Sequence, residues 1–462
     1  MAVALRRIVW LGLLACVASA LIAPPAAASD WLRFRGPNGT GICPDTAPLP
    51  VEFGADKNLA WQIDLPGRGS SCPIVVGDKV FVTCWSGYGM GARDEDPGDQ
   101  ADLKRHLVCV DRHSGKILWD TPVDPYLPED EYGGMFAEHG YASHTPVSDG
   151  ERVYCYFGKT GAVAFDMAGN QLWKTQVGTE SDPRNWGSAS SPVLYKDLLI
   201  ITASAESEAL VGLDKKTGKE VWRQEASGLS GTWSTPILME VDDERTDLVI
   251  GVPYEIWGIN PENGKLRWHC KGADSNSFCA SLVAGDGVVY AVDGRNGGGT
   301  AVRVGGEGDV TGTHVVWRTQ ERNRIVTPLL VDGRLCYLSG GMAVSMDATN
   351  GAANKARLPA GDAPAPPVGG GGGPGGRRGG RGVRSMDYAS PIYADERIYF
   401  PSRRGDIYVV APGDELEVLA VNRLSDDPDE DYSSSPAASD GQLFIRTSKR
   451  LYCVSLSSEG TL

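Results

Sequence analysis

The chain has 462 residues, of which 59 are glycine and 29 are proline, and it carries a formal net charge of −15 at pH 7. This length is sufficient for one large domain built of repeated units, and the glycine and proline content is typical of short strands joined by tight turns. No segment shows sustained 3.6-residue periodicity, so little helix is expected. The acidic balance excludes a protein whose main partner is nucleic acid, because such binding needs a basic surface.

The first 28 residues have the composition of a signal peptide. Arg6 and Arg7 form a positive start, residues 8–23 are apolar, and small residues at 26–28 end the segment. We therefore predict a signal peptide over residues 1–28 and export to the periplasm or cell envelope. Two alternatives stay open: LLAC (13–16) is similar to a lipoprotein signal that would anchor the chain through Cys16, and the apolar segment could be retained as a membrane anchor.

Residues 29–58 precede the first regular pattern and are predicted to be an N-terminal extension. Their most distinctive stretch is WLRFRGPNGTG (31–41), which we expect to lie along the outside of the domain. It is followed by LAWQIDL (59–65), which has the pattern of an isolated strand.

Strand-like runs that begin with Ser/Thr-Pro or a close variant recur along the rest of the chain. Each run predicts two strands around a tight turn in which Gly or Asp tolerates positive φ. The eight runs are SSCPIVVGDKVFV (70–82), SHTPVSDGERVYCYF (143–157), SSPVLYKDLLIITA (190–203), STPILMEVDDERTDLVI (234–250), ASLVAGDGVVYAV (280–292), VTPLLVDGRLCYL (326–338), ASPIYADERIYF (389–400) and SSPAASDGQLFI (434–445).

In the earlier copies a third strand, a polar turn and a fourth strand ending in Trp follow each run. Trp119, Trp173, Trp222, Trp268 and Trp317 are separated by 54, 49, 46 and 49 residues. Four strands in about 45–50 residues is the size of one propeller blade. The last copy ends after its third strand, LYCVSL (451–456), so LAWQIDL is predicted to supply the missing fourth strand. The sequence thus predicts an all-β, eight-bladed β-propeller of four-stranded antiparallel blades over residues 59–462, closed by an N-terminal strand that completes the last blade.

The turn before each Trp repeats its chemistry. In LDKKTGKEVW (213–222), Asp214 can accept backbone N–H bonds, Gly218 can adopt a left-handed conformation, and Trp222 can lie between neighbouring blades. The predicted structural set from this and the matching turns is Asp111, Gly115, Trp119, Asp166, Trp173, Asp214, Gly218, Trp222, Asn260, Gly264 and Trp268.

A Gly-, Pro- and Arg-rich insertion interrupts the pattern between the sixth and seventh copies. It covers about residues 361–386 and includes PAPPVGGGGGPGGRRGGRGVRS (364–385), a composition that cannot bury a core. We predict a disordered loop there.

These repeats resemble the pyrroloquinoline-quinone-like (PQQ-like) propeller repeat, whose docking motif has the form A-x-D-x-x-T-G-x-x-x-W. GLDKKTGKEVW (212–222) matches it closely, and the resemblance covers about residues 59–456. Two groups share the repeat: quinoprotein dehydrogenases, which bind the quinone with calcium, and exported propellers without a cofactor, such as the propeller of the outer-membrane barrel-assembly machinery. The resemblance implies the fold and leaves the activity open.

No catalytic residues or metal ligands are predicted, and no cofactor is expected. The larger quinoprotein alcohol dehydrogenases carry adjacent cysteines, and their haem-bearing relatives carry C-x-x-C-H, and neither motif occurs here. PQQ with calcium stays as the alternative cofactor. P-loop, HExxH and GxSxG motifs are also absent.

Two sets of residues are candidates for ligand binding at the channel mouth. In EHGYASH (138–144), Glu138, His139 and His144 precede the first strand of the second blade, and Lys104, Arg105 and His106 end a long insertion in the first. The residues before successive first strands form the second set, which would ring the mouth and suit a sugar, a quinone or an extended peptide: Arg68, Tyr141, Trp186, Trp233, Phe278, Arg324, Tyr388 and Tyr432. The alternatives are hydrogen bonding to loop backbone for the first set and packing between blades for the second.

The ten cysteines include several within predicted strands, where a small apolar core residue is the simplest interpretation. Disulfides between Cys72 and Cys84 or between Cys270 and Cys279 are open alternatives in an oxidising compartment. We expect an exported, non-enzymatic and monomeric propeller that binds or scaffolds an envelope protein or small ligand, with peripheral or lipid-anchored membrane association as an option. The alternatives are a periplasmic quinoprotein dehydrogenase and a carbohydrate-binding or sensory module.

Overall fold

The computed structural model describes residues 29–91, 95–293, 298–359, 361 and 386–457. The predicted signal peptide, with Cys16, lies outside the described residues, as do residues 362–385 of the predicted insertion. Regular structure in the described part consists of strands and five short 3₁₀ helices, Pro37–Gly39, Gln100–Asp102, Phe136–Glu138, Gly158–Thr160 and Ser227–Leu229. A membrane-crossing helix, one long and apolar enough to span a bilayer, was not found among these residues.

The strands form eight separate antiparallel sheets, one for each predicted blade, and confirm the propeller. Blade 1 comprises Ile74–Val76, Lys79–Ser86, Lys104–Asp111 and Ile117–Val123, and blade 2 comprises Val147–Ser148, Arg152–Tyr156, Ala162–Asp166 and Gln171–Thr175. Blade 3 comprises Val193–Tyr195, Leu198–Ala203, Ala209–Asp214 and Glu220–Glu225, and blade 4 comprises Ile237–Glu240, Thr246–Val252, Glu255–Ile259 and Leu266–Lys271. Blade 5 comprises Val283–Gly285, Val288–Val292, Gly299–Arg303 and Val315–Thr319. Blade 6 comprises Leu329–Val331, Arg334–Ser339, Met342–Asp347 and Ala353–Arg357, and blade 7 comprises Ile392–Ala394, Arg397–Pro401, Ile407–Ala411 and Glu417–Asn422.

The eighth blade closes the ring as predicted. Ala437–Ser439, Gln442–Arg446 and Arg450–Ser455 are its three inner strands, and Leu59–Asp64 pairs antiparallel with the last of them. Trp61 stands opposite Cys453 in this register. Pairing one strand from each end of the repeat region removes the open edge that the last blade would otherwise expose.

Blade 4 has one feature that the repeat does not predict. A short strand, Gly308–Asp309, comes from the blade 5 turn and pairs in parallel with Leu266–Lys271. This fifth strand covers the outer edge of blade 4.

Hydroxyl side chains join the innermost ends of the blades. In blades 2–8, the Ser or Thr at the position before Pro (before Leu282 in blade 5) accepts a hydrogen bond through its side-chain oxygen. The donor is the backbone N–H of the residue at the same position in the preceding blade, and the donor–acceptor distances are 2.8–3.0 Å. This hydroxyl belt consists of Thr145, Ser191, Thr235, Ser281, Thr327, Ser390 and Ser435. The eighth equivalent position, in blade 1, holds Cys72, so the belt is interrupted at the seam where the ring closes.

The N-terminal extension crosses one end of the channel, so the expectation that residues 31–41 lie along the outside was wrong. Trp31 forms an antiparallel β-bridge with Val75 of blade 1, and the backbone N–H of Cys43 donates to the Tyr393 carbonyl of blade 7 at 2.8 Å. Between them, Arg35 is 1% exposed and donates to the Pro328 and Pro391 carbonyls of blades 6 and 7, at 2.6 and 2.9 Å. Residues 31–43, the plug, are held there because the Arg35 guanidinium donates to backbone carbonyls at the inner ends of blades 6 and 7.

Candidate functional site

A described cavity lies on the propeller axis, where residues before the first strands of the blades converge. It encloses ≈ 1040 Å³ of space, counted with the open solvent at its mouth, and the whole hydroxyl belt and Cys72 contribute to its wall. Phe34 of the plug also lines it. Because the plug crosses the channel, this mouth pocket is a funnel with one accessible end.

Aromatic and sulfur-containing side chains form the rim of the mouth pocket. Trp186 and Trp233 lie with ring centroids 5.1 Å apart at an interplanar angle of 39°. The Trp233 indole N–H donates to the Gly187 carbonyl at 2.8 Å, which fixes that ring. Tyr388, Met135 and Met386 also line the pocket. The Tyr388 hydroxyl is buried and has no hydrogen-bond partner among the described residues.

Arg324 is the one permanently charged side chain among the described lining residues, and none of these residues is a carboxylate. Its Nη1 lies 3.2 Å from Met386 Sδ, and it forms no ion pair within the described structure. His139 also lines the pocket, but desolvation lowers its pKa below the ordinary value of 6.5. The pocket is therefore lined by hydroxyls, aromatic rings and one unpaired cation at neutral pH.

The turn that carries His139 crosses the mouth. The His139 Nε2 atom donates to the Trp186 carbonyl at 2.5 Å, and its Nδ1 atom lies 2.6 Å from Ser143 Oγ. Its neighbour Glu138 pairs with Arg403 of blade 7 at 2.6 Å, and both side chains are largely buried. Residues 135–139, the mouth turn, thus contact both a loop of blade 7 and the connection between blades 2 and 3.

Arg403 completes this ion-pair cluster at the rim. Its Nε donates to Asp431 Oδ2 at 2.7 Å, and its guanidinium carbon lies 4.8 Å from the Tyr388 ring centroid. Desolvation by itself would lower the pKa of Arg403, but the carboxylates of Asp431 and Glu138 outweigh it, and the pKa is raised above its ordinary value. Two carboxylates surround this one positive charge, so the cluster carries a net negative charge, whereas Arg324 has no ion pair among the described residues.

The structure brings only part of the predicted ring together at the pocket. Trp186, Trp233, Arg324 and Tyr388 line it, together with His139. The other four positions lie outside the described lining: Tyr141 and Tyr432 are each 2% exposed, Phe278 is 2% exposed, and Arg68 donates to the Gly91 carbonyl at 2.8 Å.

Each of these buried rings packs within the protein. Tyr141 belongs to an aromatic cluster above blade 1 with Trp85, Tyr88, Tyr132 and Phe136, and Phe278 packs in the core of blades 4 and 5. Tyr432 belongs to the core that includes blades 7 and 8.

The remaining candidates also lie outside the described lining. His144 is 5% exposed, with its Nε2 atom 3.1 Å from Ser188 Oγ, and burial lowers its pKa to about 3. Arg105 pairs with Glu129 in the interior, Lys104 pairs with Asp124 at the surface, and His106 Nδ1 lies 2.9 Å from Asp120. These groups hold the loops that surround the mouth.

The repeated turns make local contacts and contacts between blades. Asp214 Oδ1 accepts from Thr217 N at 2.8 Å, and Gly218 has a φ of 71°. Trp173 of the preceding blade lies against Gly218 and donates its indole N–H to the Lys215 carbonyl at 3.1 Å. The same ring-on-glycine packing joins Trp61 to Gly115, Trp119 to Gly169, Trp222 to Gly264 and Trp317 to Gly351.

Trp268 differs from Trp61, Trp173 and Trp317, whose indole N–H groups donate to the next blade. Its indole N–H donates to Asp247 of its own blade at 2.7 Å rather than to the next blade. The turn that follows in blade 5 supplies the Gly308–Asp309 strand at this place.

All nine described cysteines are free thiols. Most are buried, and Cys72 and Cys279 line the mouth pocket. Burial raises the pKa of Cys453 to about 12, which is typical of an unreactive core thiol.

A calcium-bound quinone does not fit the described lining. Calcium takes six to eight oxygen ligands, usually including carboxylates, and the lining has no carboxylate side chain. A search of the described residues found no cluster of His, Cys, Asp or Glu that could hold a metal ion. Arg324 would in addition repel a cation placed beside it.

A family model described as "Outer membrane protein assembly factor BamB" matches residues 86–229 and 202–459. The chain belongs to this family of PQQ-like propellers. BamB from Moraxella catarrhalis is a structural neighbour at 10% identity and a TM-score of 0.55, covering 86% of this chain and 99% of that one. A europium-containing methanol dehydrogenase is another, at 11% identity and a TM-score of 0.62, covering 93% and 98%. At these identities the two neighbours show the fold alone.

A curated relative carries an enzyme name. Polyvinylalcohol dehydrogenase from Sphingopyxis sp. (strain 113P3) is 23% identical over 292 residues, which are 52% of this chain and 39% of that protein. The chain thus spans about two fifths of this relative's length.

Several lining residues were missed by the sequence interpretation. The hydroxyl belt is visible as the Ser/Thr that precedes Pro in most copies, but it was interpreted only as a strand start. Met135 and Met386 stand in no repeated pattern, and Phe34 lies in the extension that was expected outside. The recurrence of a hydroxyl at one position of successive copies was the signal that could have identified the belt.

Proposed function

We propose that the protein is an exported, non-enzymatic binding module of the cell envelope that holds a ligand in the mouth pocket. The observation that carries this proposal is the funnel itself, with an aromatic rim, a wall of hydroxyls and an end closed by the plug. Sites of this kind bury apolar surface and orient the ligand with a few polar groups. The proposed ligand is a small molecule or a segment of an envelope protein.

The family assignment supports a binding role, since its description is that of an assembly factor. Two curated relatives are instead named polyvinylalcohol dehydrogenase, which keeps a periplasmic quinoprotein dehydrogenase as the second candidate. The carboxylate-free lining favours binding over this enzyme, because the quinone site of the resembling dehydrogenases includes calcium.

A neutral fluorescent probe tests the pocket as a binding site. N-phenyl-1-naphthylamine, an uncharged planar molecule, would be titrated into the purified protein, and its fluorescence would be followed. We expect saturable binding that is lost in a Trp186→Ala/Trp233→Ala double variant and retained in Tyr254→Ala, which removes an aromatic ring that is 52% exposed elsewhere. Equal binding by both variants would contradict the proposal, provided that both melt cooperatively.

The enzyme alternative is tested on the same preparation. PQQ and calcium would be added, and reduction of an electron-accepting dye would be measured over alcohols, sugars and polyvinyl alcohol. Dye reduction that requires both additions would favour the dehydrogenase. Absence of quinone binding together with probe binding would support the binding module.

A further inference from the structure

Among the described residues that line the mouth pocket, Arg324 carries the single permanent charge. Arg324 lines the pocket without an ion pair in the described structure, while Arg403 at the same rim is held by Glu138 and Asp431. A cation in a partly desolvated site without a counter-ion favours an anion from solution.

The hydroxyl belt adds donors on the same wall. Each belt oxygen accepts one backbone N–H bond, as shown by Thr235 Oγ1 at 3.0 Å from Ser191 N and Ser281 Oγ at 2.9 Å from Thr235 N. None of the seven belt hydroxyls donates its proton to another described residue. A hydroxyl that already accepts from the backbone is left with a proton to donate. The Tyr388 hydroxyl, buried without a partner at the rim, is a further donor of this kind.

The rest of the lining suits an apolar body. Trp186, Trp233, Met135, Ile325 and Phe34 present rings and aliphatic or thioether groups to the same space. A ligand that matches the site therefore combines a planar or aliphatic body with a group that accepts several hydrogen bonds and carries negative charge.

We infer that the mouth pocket binds an organic anion, a carboxylate or sulfonate on a planar apolar body, without a divalent metal ion, and that Arg324 selects its charge. This inference rests on the proposed binding function and gives its ligand class. It departs from calcium-assisted binding, because calcium would need anionic oxygens that the described lining does not supply. The donors instead come from the belt and from Arg324.

A matched pair of fluorescent probes tests the inference. 8-Anilinonaphthalene-1-sulfonate differs from N-phenyl-1-naphthylamine by its sulfonate group. Both would be titrated into the wild-type protein, Arg324→Gln and the control Arg322→Gln, which neutralises an exposed arginine two residues away. Each titration would be repeated with calcium, with a chelator and at raised ionic strength.

We expect the sulfonate probe to bind at one saturable site, with an affinity about tenfold lower in Arg324→Gln, since a hydrogen bond to a charged group is lost. The neutral probe should bind both variants equally, and chelation should change neither affinity. Equal sulfonate binding by the two arginine variants, or binding only when calcium is present, would overturn the inference. If neither probe binds the wild-type protein, the proposed function itself fails, and if only the neutral probe binds, the function stands and the anion inference fails.

Discussion

Thr235→Val removes one link of the hydroxyl belt and tests whether the belt holds the blades together. Thr235 Oγ1 accepts from Ser191 N at 3.0 Å, and both residues are 3% exposed. Valine keeps the shape of threonine but has no acceptor, so the Ser191 amide would be left buried without a partner. The net loss of one hydrogen bond is about 0.5–1.5 kcal/mol, and an unsatisfied buried donor raises the cost to about 1–3 kcal/mol.

The free energy of unfolding would be measured by urea denaturation, with the thermal midpoint as a second readout. For a domain of this size about 2 kcal/mol corresponds to a fall of roughly 2–3 °C. Thr202→Val is the matched control, because Thr202 is 1% exposed in blade 3, the blade of Ser191, and its hydroxyl has no partner among the described residues. If Thr235→Val were as stable as Thr202→Val, the belt would contribute nothing and the reasoning would be refuted.

The seam of the ring offers the reverse change. Cys72→Ser places a hydroxyl where the belt is interrupted, at the position where the pattern of the belt predicts a bond from the amide of Ser435. We expect a gain of about 0.5–1.5 kcal/mol, the net value of one hydrogen bond. A lower free energy of unfolding in the same urea experiment would show that the thiol packs better than a hydroxyl at this position.

Three further predictions follow from contacts at the turns and the mouth. Gly218→Ala should destabilise the protein by about 1–3 kcal/mol in urea denaturation, because a Cβ would lie 2.6 Å from the Trp173 ring. The pKa of His144 is lowered by burial to about 3, so the unfolded chain binds a proton below pH 6.5 that the folded protein does not, and stability should fall by up to about 1.4 kcal/mol per pH unit from pH 6.5 towards 3. Glu138→Gln should release the mouth turn and raise the rate at which a maleimide labels Cys279, several-fold in a mass-spectrometric assay.

Each of these has an internal comparison. Gly333→Ala places alanine at a φ of 72°, close to the 71° of Gly218, with no described atom within 4 Å, so an equal loss would assign the effect to backbone strain alone. His144→Gln should flatten the pH profile between 6.5 and 3, and parallel profiles would show that other groups set it. Glu262→Gln breaks an exposed ion pair with Lys196, and labelling as fast as in Glu138→Gln would exclude a role for the mouth turn.

The blade architecture could be predicted because it is encoded locally. Alternating apolar residues, Asp and Gly at the hairpin turns and the recurring Trp each act within one blade or between adjacent blades. Asp286 and Gly287, with φ of 51° and 72°, form one such hairpin turn. Ring closure was also predictable, since the last copy lacks a strand that LAWQIDL supplies.

The candidate site depended on contacts that a local pattern does not contain. Tyr141 and Trp186 occupy similar places in their repeats, yet the first packs beneath the loops of blade 1 and the second lines the pocket. The difference arises from the insertions around blade 1, whose aromatic residues cover Tyr141, and those insertions belong to no repeat.

The sequence alone determined the number of blades, their strand order and the strand that closes the ring, because each follows from spacing between neighbours along the chain. Only the tertiary structure decided that the plug crosses the channel and that Arg324 at its mouth has no ion pair within the described part of the chain. Arg35 donates hydrogen bonds to the carbonyls of Pro328 and Pro391, which lie nearly 300 and more than 350 residues further along the chain. Contacts of that kind arise when eight blades converge on one axis, and they depend on the closed ring rather than on any single repeat.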